Sequence, residues 1–209
     1  MSKKKNKNKS FPDLLKESSD SLVEALKIYW PTRDEWDVQE AHVVTHLAHV
    51  LMEAGWAVYP EVPVTRPGKK NGRLDLLAIH TESRRMLVVE AKRLWSQKNA
   101  VAINDDIDKL SNATLPMPVD DDLITERWII VLTHKDDLPV WWTDPVPEKR
   151  PMELKDKHVA AWEALEANLS KHRSSERVVI GPYQGPQLKR PVSVVAAQIT
   201  EAAQPTESS

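Results

Sequence analysis

Two nearly continuous apolar runs flank a short polar turn: Leu74-Asp75-Leu76-Leu77-Ala78-Ile79 and Leu87-Val88-Val89-Glu90-Ala91-Lys92. Strands that read this way are covered on both faces rather than half exposed. A hairpin of two such strands commits the chain to a sheet with helices above and below it. Each run nevertheless carries charge at its end. Charged groups in such surroundings are costly unless they are paired or bound to metal, so Asp75, Glu90 and Lys92 call for a reason.

Register supplies one. With Glu82 and Ser83 at the centre of the turn, Asp75 faces Glu90 across an antiparallel pair, at roughly 5 Å between Cβ atoms. Strand alternation puts Lys92 on the face of Glu90 and sends Ala91 to the other. A slip of one residue would undo the arrangement. Two carboxylates about 4 Å apart repel by roughly 4 kcal/mol at an effective dielectric near 20. One ammonium group does not fully neutralise them together with a third acid, whereas a divalent cation does. Oxygen ligands with room for water and phosphate favour magnesium or manganese.

The elements around the hairpin follow from periodicity and from Pro and Gly positions. Apolar residues Leu14, Leu15, Leu22, Leu26 and Tyr29 predict a helix over 14–30, broken by Pro31. A second helix is expected over 37–54, capped by Gly55. Residues 56–64 read as a strand near an edge because of Pro60 and Pro63, with a turn over 67–72. The two strands run 73–80 and 85–92. A helix over 98–112, a buried strand over 127–133, a helix over 159–169 and late strands over 177–180 and 192–199 complete the order. The stretch 138–151 reads as an irregular connection. Tryptophans are more often core or interface residues than base-stacking platforms, and Trp141-Trp142 is the pair to examine first for an exposed role. No internal repeat occurs. Helix, three strands, helix and strand make a mixed α/β sheet with helices on its faces.

The 209 residues suit one domain with terminal pieces: a basic arm over 1–10 expected to be disordered, a domain over 11–199 and a disordered tail over 200–209. Within the domain the core spans about 36–135, and 136–199 is a C-terminal extension. The composition, 41% hydrophobic and 29% charged, allows a packed core. No apolar run approaches the roughly 18 residues of a membrane span. The lysine-rich start has no apolar segment behind it, unlike a secretory signal. Without cysteine there is no disulfide and no thiolate-bound zinc, and a cytoplasmic location is expected. The net charge is −2, so any hold on nucleic acid must come from local patches.

A third acid is available near the hairpin. Glu40 lies within the stripe formed by Val43, Val44, Leu47, Val50, Leu51 and Ala54, whereas Glu53 lies opposite it. Glu61, which begins a neighbouring strand, competes with Glu40. His42, His46 and His49 lie away from the stripe and read as a solvated or interface face. Lys92-Arg93, Lys98, Lys109 and the N-terminal lysines are open to two readings, phosphate contacts or scattered solvated surface. A second Glu-x-Lys, Glu153-Leu154-Lys155, sits in a polar setting with no partner Asp upstream.

Glu40, Gly72-Arg73-Leu74-Asp75 and Val89-Glu90-Ala91-Lys92 together resemble the PD-(D/E)XK nuclease superfamily, which includes restriction enzymes and Holliday-junction resolvases. The resemblance covers about residues 36–135. It implies a restriction-endonuclease-like mixed β-sheet flanked by α-helices, with an extra N-terminal helix and C-terminal elements. By this resemblance Asp75, Glu90 and the backbone carbonyl of Ala91 bind Mg2+ or Mn2+, Glu40 completes the shell, and Lys92 orients and activates the attacking water. Gln97 stands at a spacing where some members have a functional glutamine. The proline that names the motif is replaced by Leu74. The implied activity is a Mg-dependent endonuclease or phosphodiesterase acting on DNA, leaving a 5′-phosphate and a 3′-hydroxyl, in defence, repair or mobile-element processing. The motif does not separate DNA from RNA. A homodimer follows by the same analogy. The alternative reading is a catalytically inactive module of this fold that binds nucleic acid or a protein partner.

Overall fold

The structure, a computed structural model, describes residues 9–29, 38–65, 72–112, 114–115, 122–172, 175–184 and 190–200. Residues 1–8 of the expected basic arm, the break at Pro31, the turn over 67–71 and the tail beyond Thr200 lie outside them.

Helix α1 (Phe11–Tyr29) begins earlier than its apolar pattern. Ser10 and Asp13 exchange hydrogen bonds, Ser10 N to Asp13 Oδ2 at 3.2 Å and Asp13 N to Ser10 Oγ at 3.3 Å. That reciprocal cap, followed by Pro12 in the first turn, starts the helix. Helix α2 (Glu40–Glu53) begins later than expected, because Gln39 is its cap and His42 Nδ1 accepts the Gln39 amide at 3.0 Å. It ends as its Gly predicts. Gly55 takes φ +92, its amide reaches Met52 O, and the Trp56 amide reaches Leu51 O. These are the two bonds of a Schellman cap.

Strands β1 (Ala57–Val64), β2 (Gly72–His80) and β3 (Arg85–Arg93) form an antiparallel meander. Helix α3 (Asn99–Asn112) carries the chain over to β4 (Ile124–Thr133), which lies parallel to β3. After α4 (Leu138–Thr143) and α5 (Asp156–Lys171), strands β5 (Arg177–Tyr183) and β6 (Val192–Gln198) close a six-stranded mixed sheet ordered β1-β2-β3-β4-β6-β5. The proline-bearing β1 is an edge strand, as its sequence requires.

Helices cover both faces. Phe11, Leu15, Leu47 and Leu51 of α1 and α2 pack on Leu76, Leu87, Val89 and Ile130. Ile103, Ile107, Trp141 and Trp162 of α3, α4 and α5 pack on Val88, Ile129 and Val131. The central strands are therefore dry on both sides, which is why they read as unbroken apolar runs. Among the described residues no helix is long and apolar enough to cross a membrane.

The stretch 138–151 differs from expectation. It contains α4 and a 3-10 turn, Pro147–Lys149. Pro139 stands in the first turn of α4, where a proline starts a helix rather than breaking one. Trp141 and Trp142 are fully buried, and Trp142 Nε1 donates to Ala196 O at 3.0 Å. Bulky aromatic rings find their burial under this face because α4 lies across β5 and β6. Replacing Trp142 by Ala is expected to lower the unfolding free energy by about 3–5 kcal/mol in urea denaturation. An exposed tryptophan would change it by only about 0.5 kcal/mol or less.

Candidate functional site

The β2–β3 register is the expected one: Leu76 pairs with Val89, Leu77 with Val88 and His80 with Arg85. The ladder stops one pair short of Asp75 and Glu90. There the Asp75 carboxylate takes over, with Oδ2 accepting the Ala91 amide at 2.7 Å. Asp75 is thus fastened to β3 by its side chain, beside Glu90 and Lys92.

The alternation of β3 directs Glu90 and Lys92 towards α3, while Ala91 joins the core under α1 and α2. Helix α3 answers with two charged side chains that were not expected here, Asp106 and Lys109. Lys109 Nζ lies 2.7 Å from Glu90 Oε1 and 3.0 Å from Asp106 Oδ1, and donates to Arg73 O at 2.9 Å. Lys92 Nζ lies 3.0 Å from Asp106 Oδ2, 3.2 Å from Ala91 O and 4.0 Å from Asp75 Oδ2. Three carboxyl groups and two ammonium groups share one cluster.

Lys109 is therefore no solvated surface lysine; it is buried and committed to two acids. A sequence signal existed for Asp106. It falls between Ile103 and Leu110 at the spacing of the buried stripe of α3, where an apolar residue is the rule.

Exposure grades through the cluster. Glu90 has no exposed surface, whereas the Lys92 and Asp75 side chains are 23% and 27% exposed. The cluster thus opens to solvent on the Asp75 and Lys92 side. Burial, then the charges of Asp106 and Asp75, push the Glu90 carboxyl up to about 9, against the opposing pull of Lys109. The short contact to Lys109 favours the carboxylate. The upward direction stands, because three acids face only two cations in a dry setting. Burial alone would lower both lysines, but the surrounding carboxylates more than offset it and hold each above its ordinary value.

The other expected residues lie elsewhere. Glu40 does not join the cluster: its Oε1 accepts the Arg93 amide at 2.9 Å and lies 3.5 Å from Arg93 Nε. Its helix packs on the sheet as expected, but on the face opposite to Glu90 and Lys92. Glu61 is exposed, has φ 55 and lies 3.8 Å from Arg73. Gln97 is turned away, with Nε2 donating to Glu153 O at 2.6 Å and Oε1 accepting the Lys155 amide at 3.0 Å. The second Glu-x-Lys is thereby part of a loop contact. His46 Nδ1 meets Ser21 Oγ at 3.0 Å between α1 and α2, and His49 pairs with Glu53, so this histidine face serves an interhelical contact and solvent.

Among the described residues no three His, Asp or Glu side chains stand ready to share a metal ion. A magnesium site made of two carboxylates, a carbonyl and water needs no third. Two observations fit a cation here. Glu90 Oε2 is buried without a hydrogen-bond partner, and the Lys92 ammonium already stands against Ala91 O and near Asp75. Compared with known proteins, the chain matches no family model, and no curated protein or solved structure matches it either.

Between its ordinary value of 4.5 and about 9, Glu90 keeps a proton in the folded chain that the unfolded chain has released. Rising pH therefore favours unfolding across that window. Thermal melts in chelator should show stability falling from about pH 5 to pH 9, and Glu90→Gln should flatten that slope. A slope unchanged by the substitution would assign it to another group.

Proposed function

We propose that this chain is a metal-dependent nuclease of restriction-endonuclease-like fold that hydrolyses phosphodiester bonds in DNA. The observation that carries the reading is the meeting of Asp75, Glu90, Lys92 and the Ala91 carbonyl in one charge cluster that is closed at Glu90 and opens to solvent at Asp75 and Lys92. Charges are kept in such a place at a cost in stability, and a site that handles a cation and an anionic substrate gives that cost a use.

Asp75, Glu90 and the Ala91 carbonyl would hold Mg2+ or Mn2+. When bound, the cation would acidify a water molecule and offset charge on the phosphate oxygens. Asp75 is held at one oxygen by the Ala91 amide, which fixes the direction of its carboxylate. Glu90 is fixed by Lys109 at Oε1, leaving Oε2 for the cation. Lys92, on the more open side, donates to oxygen and stabilises negative charge that develops on the phosphate or on the attacking water. Glu40 has no part in this set; it ties α2 to the end of β3 through Arg93.

The test is cleavage of supercoiled plasmid, linear duplex and single-stranded DNA with Mg2+ or Mn2+, with an RNA of matching length alongside. Asp75→Ala and Lys92→Ala are each expected to slow cleavage by about a hundredfold or more. Absence of cleavage by the wild type on every substrate, or cleavage that survives both substitutions, overturns the reading.

A further inference from the structure

Asp106 of helix α3 meets both lysines of the cluster, but the two are held on different terms. Lys109 has three oxygens for its three protons: Glu90 Oε1, Asp106 Oδ1 and Arg73 O. That set is closed, and Lys109 is a fixed counter-charge. Of the three oxygens around Lys92, Ala91 O at 3.2 Å and Asp75 Oδ2 at 4.0 Å belong to groups that would hold the divalent cation. Only the third, Asp106 Oδ2 at 3.0 Å, lies outside that set. The Lys92 ammonium therefore stands among the cation's own oxygens, while the buried Glu90 Oε2 has no donor.

We propose that Asp106 is a positioning residue for Lys92, acting as the seat to which the ammonium withdraws when a divalent cation enters. With Asp106 in place, Lys92 stays close enough to donate to a phosphate oxygen without competing for Asp75 and Glu90. Without it, the ammonium has only the cation's ligands to pair with, and becomes a rival for them. This rests on the nuclease reading above, but makes a separate demand: the influence of Asp106 on cation binding must pass through Lys92. The shape of the α3 stripe supports the assignment. Asp106 occupies a position that packing alone would give to an apolar side chain, and it meets both ammonium groups, one through each oxygen.

The test is calorimetric titration of the full chain with Mn2+ alone, so that binding is read without turnover. Four proteins form a cycle: wild type, Asp106→Asn, Lys92→Met and the double variant. Asp106→Asn is expected to weaken Mn2+ binding by about tenfold or more. In the Lys92→Met background the same change should cost about twofold or less, because the rival is gone. Asp106→Glu, which keeps the charge, should retain Mn2+ affinity within about threefold of wild type, and it also serves if the Asn variant does not fold. An equal penalty in both backgrounds overturns the proposal by showing that Asp106 acts on the cation by a route other than Lys92. An absent penalty overturns it too. In either case Mn2+ binding that is lost in Asp75→Asn leaves the nuclease reading standing. A wild type that binds no Mn2+ overturns both.

Discussion

A carboxyl group with no exposed surface sits on a strand that is covered on both faces, and the charges around it follow from that burial. Transfer of such a group from water costs several kcal/mol unless charge and hydrogen bonds compensate it. On β3 the neighbours of Glu90 in sequence are apolar, so compensation must arrive from other elements. It comes from α3 as Lys109, and Lys109 in turn requires Asp106, which takes up Lys92. Asp75 closes the chain of contacts by accepting the Ala91 amide.

Topology makes this compensation local. Helix α3 is the crossover between the parallel strands β3 and β4, so it must lie across the sheet beside the end of β3. A crossover connection is the nearest helix to the strand it leaves. Its inward stripe consequently faces the side chains that alternate to that side of β3, Glu90 and Lys92 among them. Helix α2, which precedes the meander, covers the opposite face. Glu40 reaches the sheet as an inward-facing acid should, yet reaches Arg93 instead of the carboxylates.

The hairpin was legible because it depends on local rules. Its turn length sets the register, alternation sets the faces, and both act within a few residues of one another. Gly55 and the edge prolines were legible for the same reason, since they act through their own backbone. The Trp141-Trp142 segment was misread because proline ends one helix and starts the next, and only the apolar shelf beneath decides which applies. Lys109 was misread because a lysine on an exposed helix and a lysine over a buried glutamate look alike in one dimension. Asp106 left a mark in the stripe of α3, but it gained meaning only with Glu90 opposite.

By itself, the sequence determined the antiparallel hairpin, the mixed sheet with helices on both faces, and the convergence of Asp75, Glu90 and Lys92. These rest on side-chain period and turn geometry, which act over short separations. The tertiary structure decided which helix answers the buried charge, which acid stays out of the cluster, and which side of it opens to solvent. Those depend on the face on which each helix packs, and that choice is made by burial summed over the whole chain rather than by any one segment.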